Sequence, residues 1–110
     1  MLNAVERQLG LTSEYCTTET FRASCADAEV VLMQQALYGR MSLGRCIQKT
    51  YDEIGCKVDA LEIVDGRCSG RRQCEIHVPD KEIHNLSACT HQLVMYLNAS
   101  FICLPGIMGF

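Results

Sequence analysis

Eight cysteines constrain this chain more than any other feature: Cys16, Cys25, Cys46, Cys56, Cys68, Cys74, Cys89 and Cys103. Thiols in such number serve either metal binding or cross-linking. A zinc site normally takes Cys-x2-Cys pairs, so that one tight turn presents two ligands. Here the intervening stretches are 8, 20, 9, 11, 5, 14 and 13 residues, and none forms such a knuckle. An even count over nearly the whole chain therefore predicts four disulfides and no metal, which requires an oxidising compartment and an extracellular location, either secreted or in the ectodomain of a membrane protein. Two sequons, Asn85-Leu86-Ser87 and Asn98-Ala99-Ser100, fit that compartment as N-glycan acceptors.

The 110 residues suffice for one domain with one core. Hydrophobic residues make up 48% and charged residues 21%, a globular composition. A net charge of -3 argues against nucleic acid as a partner. No apolar run approaches the ~20 residues of a bilayer span, so direct membrane insertion is not expected. Met1 to Gln8 has neither the apolar region nor the cleavage site of a signal peptide. Residues 1–10 are read as an N-terminal extension, 11–104 as the cross-linked domain and 105–110 as a tail or linker. The chain is expected to be a mature form or an excised piece of a larger ectodomain.

Hydrophobic patterning predicts strands at Thr20–Cys25, Glu29–Tyr38, Gln73–Val78 and Leu93–Phe101. In the last, Leu93, Met95, Leu97, Ala99 and Phe101 share one face, with Asn98 and Ser100 on the other. One helix is expected after Asp59-Ala60-Leu61-Glu62, which has the form of a capping box. Leu61, Val64 and Cys68 then make one buried stripe flanked by Ile63, ending at Ser69-Gly70. The expected fold is mainly β with one short α-helix (α+β), a compact disulfide-rich antiparallel unit.

Three stretches carry a resemblance. Val31-x-Met33-x-x-Ala36-x-Tyr38-Gly39-Arg40 comes first. Ala60-Leu61-x-x-Val64-x-x-x-Cys68-x-Gly70-x-x-x-Cys74-x-Ile76-x-Val78 follows, and Cys89 with Tyr96-Leu97-x-Ala99-x-Phe101-x-Cys103 closes the pattern. Together they resemble the galactose/rhamnose-binding lectin domain of the sea-urchin-egg-lectin type, also found in latrophilin ectodomains. The resemblance covers roughly residues 11 to 104. It implies a β-sandwich with one helix and the pairs Cys16–Cys46, Cys25–Cys103, Cys56–Cys89 and Cys68–Cys74, a choice that spacing alone leaves open among 105 pairings.

The same resemblance exposes departures at the sugar site. Sugar-binding members carry a Glu directly after the first Cys, where this chain has Thr17, with Glu19 two positions late. They carry Asp-Pro before the seventh Cys, here Ser87-Ala88, and a Lys before the last Tyr-Leu, here Met95. The stretch from Cys89 to Tyr96 is also one residue longer. Glu19, Tyr38, Gly39 and Arg40 remain as candidate ligand-binding residues. Their alternative role is structural, with Gly39 serving a turn and Arg40 holding a loop carbonyl.

Other constellations carry less. His77, His84 and His91 recur every seven residues, but nothing in the pattern fixes three imidazoles about one ion. Disulfide-bonded sulfurs are not nucleophiles, and no Gly-x-Ser-x-Gly elbow occurs, so neither catalytic residues nor a cofactor is expected. Arg67, Arg71 and Arg72, with Arg40 and Arg45, suggest either an anion-binding patch or a solvated helix end. The sequence reads as a non-catalytic extracellular recognition module of lectin-like fold. Its expected partner is a protein ectodomain or a neighbouring domain of its parent. The alternatives are a working lectin for terminal galactose or rhamnose, using Glu19, Tyr38 and Arg40, and a secreted disulfide-rich inhibitor or growth factor.

Overall fold

The computed structural model describes residues 12–48, 54–90 and 93–106. Among these residues are six strands: β1 (Ser13–Tyr15), β2 (Thr20–Ser24), β3 (Glu29–Gly39), β4 (Lys57–Asp59), β5 (Gln73–His77) and β6 (Tyr96–Pro105). Two helices, α1 (Leu61–Cys68) and α2 (Lys81–Asn85), join them. β1, β6, β3 and β4 form a four-stranded sheet in that order, and β2 and β5 form a two-stranded sheet. All pairings are antiparallel.

The long pair β3–β6 is the spine, running from Glu29 opposite Pro105 to Gly39 opposite Tyr96. An irregularity between Met33 and Gln35 leaves Gln34 unpaired. One extra residue inverts the side-chain alternation of a strand. The core accordingly takes Val31 and Met33 before the bulge but Ala36 and Tyr38 after it. Phe21 and Ala23 of β2, Ile76 of β5, Leu97 and Ala99 of β6, and Val64 and Cys68 of α1 complete that layer. Phe21 stands edge-on to Tyr15 and Phe101, with ring centroids 5.1 and 6.0 Å away.

Disulfides join Cys16 to Cys46, Cys25 to Cys103, Cys56 to Cys89 and Cys68 to Cys74, so none of the eight sulfurs is free. Cys25–Cys103 ties the end of β2 to β6 and therefore one sheet to the other. Cys68–Cys74 fastens the end of α1 to β5, with the two Cα atoms 5.2 Å apart.

Several local expectations are corrected. β1 and β4, three residues each, are too short to register as periodic patterns. α2 is a second helix where one was expected. It forms because Asp80, just after Pro79, accepts a hydrogen bond from the Ile83 amide, while Ile83 buries its side chain. The predicted capping box is incomplete: Ala60 is the N-cap of α1 and Asp59 Oδ1 accepts from the Leu61 amide. The exposed Glu62 side chain makes no hydrogen bond among the described residues.

The last strand starts at Tyr96 rather than Leu93 and runs to Pro105, past the expected domain end. The Gly106 amide then donates to the Ala28 carbonyl, so the tail expected at 105–110 begins within the fold. The N-terminal extension at 1–10 and residues 107–110 lie outside the described residues. The second face of β6 is only partly open, with Asn98, Ile102 and Leu104 half-buried. Tyr96 and Ser100 are buried there, and Asn98 has its Oδ1 enclosed without a hydrogen-bond partner among the described residues.

Candidate functional site

Tyr38 and Gly39 end β3, where β4 and β6 flank it on either side, and Arg40 follows directly. All three are buried. A Cβ on Gly39 would lie 2.3 Å from the Cys56 carbonyl oxygen and 2.8 Å from Lys57 Cα, so glycine is required here by close backbone approach within a sheet. The same Cys56 oxygen accepts from the Arg40 amide. Arg40 Nη1 donates to the Val94 carbonyl at 2.6 Å, holding down the strand's approach to β6. The Tyr38 hydroxyl lies 2.8 Å from His84 Nδ1 of α2. Burial, with Asp80 adding negative charge nearby, pushes this phenol up to about 12 and keeps it protonated. These three residues knit the fold with the polar atoms a sugar would use.

Glu19 is engaged with other partners. Its carboxylate forms a two-pronged bridge with the Arg45 guanidinium at 2.7 and 2.9 Å and accepts from the Cys16 amide at 2.7 Å. Arg45, first, and the Cys16 amide hold the carboxyl below its usual range. Glu14, Tyr15, Thr18, Thr20 and Arg22 line the same open groove. The partners of Glu19 in this groove are thus Arg45 and the Cys16 amide, whereas Arg40 holds the Val94 carbonyl and Tyr38 meets His84.

The three substituted positions do converge. Thr17 Oγ1 donates to the Met95 carbonyl at 3.1 Å, and Ser87 Oγ donates to Met95 Sδ at 2.9 Å. The Cys89 amide in turn donates to Ser87 Oγ. Met95 is 1% exposed and belongs to the core. Where a sugar site needs fixed charges facing solvent, this chain has a thioether, two hydroxyls and a carbonyl that satisfy one another. Sequence reasoning named the positions but not their mutual contacts, which span up to 78 residues.

Arg67 bridges Asp80 and Glu82, Arg45 holds Glu19, Arg72 reaches Asp27, Arg40 is inside, and Arg71 is exposed. Three of the five are thus paired with carboxylates from different elements, which weighs toward the solvated helix end rather than an anion-binding patch. Among the histidines, His77 pairs with Thr20 and His84 with Tyr38, while His91 lies outside the described residues. No group of three or more metal-ligating side chains occurs among the described residues.

The Arg67–Asp80 contact predicts an acid limb of stability. The Arg67 hydrogen bond, chiefly, holds the Asp80 carboxyl below its unfolded value of 3.8. Its contribution is complete above that value and is lost as pH falls through the depressed one. With both groups partly exposed, about 1 kcal/mol is expected. Urea midpoints measured from pH 6 down to pH 2 should fall less in Asp80→Asn, which keeps an N-cap but carries no charge. An unchanged slope would mean other carboxylates dominate.

Residues 23–103 match the D-galactoside/L-rhamnose binding SUEL lectin domain. The chain belongs to that family. It is 31% identical over 87 residues to L-rhamnose-binding lectin CSL1 of Oncorhynchus keta, covering 74% of this chain and 29% of that protein. It is 32% identical over 91 residues to L-rhamnose-binding lectin SML of Scomberomorus niphonius, covering 78% of this chain and 43% of that protein. The chain thus spans less than half the length of either relative. Within the SUEL lectin domain the Tyr-Gly-Arg segment is present and buried, and Ser87, with Thr17 from just ahead of the matched span, contacts Met95.

Large exposed apolar side chains edge this end of the SUEL lectin domain. Leu43, Ile54 and Val94 are 49%, 36% and 53% exposed. Val94 supplies the carbonyl held by Arg40, and Ile54 precedes Gly55, whose amide donates to the Arg40 carbonyl. Leu43 follows Ser42, whose amide donates to the Tyr96 hydroxyl.

Proposed function

We propose that this domain is a non-catalytic extracellular recognition module that uses the SUEL lectin fold to bind protein, within a larger receptor, adhesion or secreted protein. The observation that carries the reading is the closure of Thr17, Ser87 and Met95 on one another. Free sugars bury little apolar area, so their affinity depends on a few hydrogen bonds, about 1.5–3 kcal/mol each when charge-assisted. Losing two removes about 3–6 kcal/mol, while a millimolar dissociation constant corresponds to only about 4 kcal/mol. The apolar side chains Leu43, Ile54 and Val94 suit a protein surface better than a hydroxyl-rich ligand. Four disulfides support an extracellular setting, and no described helix is long and apolar enough to cross a membrane. The complete pairing of the cysteines removes thiol nucleophiles, consistent with a role outside catalysis.

NMR titration of the domain with rhamnose and with galactose tests this directly. No specific shifts are expected at or below about 1 mM sugar, a concentration corresponding to ~4 kcal/mol of binding. Met95→Lys alone should not create binding, because the acidic acceptors would still be absent. The second reading, a working lectin with a rearranged pocket, is favoured by the names of the two relatives at 31% and 32% identity. Saturable shifts around Tyr38 or in the Glu19–Arg45 groove would make that reading the leading one.

A further inference from the structure

Two sequons occur, and the fold treats them oppositely. Asn85 is the last residue of the five-residue helix α2 and is exposed, and the chain turns away after it at Leu86. Asn98 lies in β6 between β1 and β3, opposite Glu14 on one side and Leu37 on the other. On its own face Tyr96 and Ser100 are buried and its Oδ1 is enclosed, while the residue as a whole is half-buried. An N-glycan needs a side-chain amide that can leave the protein surface with a bulky saccharide attached. Asn85 offers that freely, and Asn98, half-buried in a strand paired on both sides, offers it far less.

We infer that Asn85 is an N-glycosylation site of this domain and that Asn98 is not one in the folded protein. The inference rests on the extracellular placement proposed above, and not on what the module binds. The donor is a lipid diphosphate-linked oligosaccharide. The Asn85 amide nitrogen forms a bond to C1 of its first N-acetylglucosamine, the C1–O bond to the diphosphate breaks, and one amide proton is lost. The lipid diphosphate leaves with the bonding electrons, and nothing is oxidised or reduced. Transfer precedes folding, because in the finished domain the Ser87 hydroxyl that completes the sequon is engaged with Met95 and Cys89. Folding then selects between the acceptors: sugar on Asn85 is carried outside, whereas sugar on Asn98 blocks the docking of β6.

A second observation points the same way. Leu86, directly after the acceptor, is 46% exposed. The apolar ring face and acetyl methyl of the first sugar can cover such a side chain and remove apolar area from water. The glycan then stands over the Ser87 side of the closed Met95 site. Protein contacts on this end of the domain are left to Leu43, Ile54 and Val94.

The test is expression of the full chain behind a cleavable secretory leader in eukaryotic cells, with intact mass and peptide mapping of the secreted, disulfide-complete protein. One glycan is expected, with enzymatic release converting Asn85 to Asp and leaving Asn98 as Asn. Asn85→Gln should abolish the modification and Asn98→Gln should leave it in place. Secreted, disulfide-complete protein bare at Asn85, or bearing sugar on Asn98, overturns the inference while leaving the extracellular placement intact. Retention of the wild type and both variants without their disulfides overturns that placement and the inference together.

Discussion

Replacing Cys25 and Cys103 together by Ala will cost about 4.5 kcal/mol of unfolding free energy, taking the loop-entropy relation for a span of 78 residues. The same substitution at Cys68 and Cys74, spanning 6 residues, will cost about 2.2 kcal/mol on that relation. The difference has a structural source. Cys25–Cys103 ties β2 of the small sheet to β6 of the large one, while Cys68–Cys74 closes a turn that α1 and β5 already hold near. Domains of this kind have only about 5–15 kcal/mol of net stability, so the first variant will be marginal and the second robust. Equilibrium denaturation of the two double variants, with the other disulfides intact, measures both. Equal losses, or a greater loss at Cys68–Cys74, would refute the assignment of the long bridge as the dominant cross-link.

Gly39→Ala will destabilise the domain by about 4 kcal/mol, combining roughly 1–3 kcal/mol of overpacking with roughly 1–3 kcal/mol of backbone strain. The φ of Gly39 is 155°, and the atoms an added methyl would strike are the backbone of Cys56 and Lys57, which cannot rotate away. Gly66 is the internal control. It lies within α1 with nothing inside 4 Å of an added Cβ, so Gly66→Ala should stabilise by about 0.5–1 kcal/mol. Thermal unfolding of both variants should shift in opposite directions. A neutral Gly39→Ala would reopen the reading of the Tyr-Gly-Arg segment as a ligand loop.

What the sequence revealed, and what it hid, divides along physical lines. The long strands and α1 were legible because their apolar periodicity extends over several residues, as in Leu61, Val64 and Cys68. β1 and β4 were not, because three residues carry no period and owe their conformation to β6 and β3. α2 escaped because five residues beginning after a Pro look like loop until the Asp80 cap and the Ile83 anchor are seen. The sugar-site positions were legible through family resemblance, but their closure was not. Thr17, Ser87 and Met95 come together only when β6 docks, and nothing local in the chain records that a carbonyl and a sulfur of one methionine will accept both hydroxyls. Asn98 shows the reverse failure. Alternation placed it on the face away from Leu97, and only the tertiary packing shows that this face is partly covered and its Oδ1 enclosed.

Gln34 acts as a phase marker for the whole Tyr38 end of the molecule. With it, odd-numbered residues of β3 face the core up to Met33 and even-numbered ones from Ala36 onward. Deleting it would flatten the strand rather than turn it over: Gln35 would follow Met33 directly, still opposite Ser100, and Val31, Met33, Ala36 and Tyr38 would share one face by plain alternation. The Tyr38 hydroxyl would keep its side and its approach to His84. Loss of one residue at this point is thus silent at the far end of the strand, whereas loss of Gln35 or Ala36 with the bulge retained would bring Leu37 to the core side. Related chains one residue shorter at the bulge can keep the same interior tyrosine without compensation elsewhere.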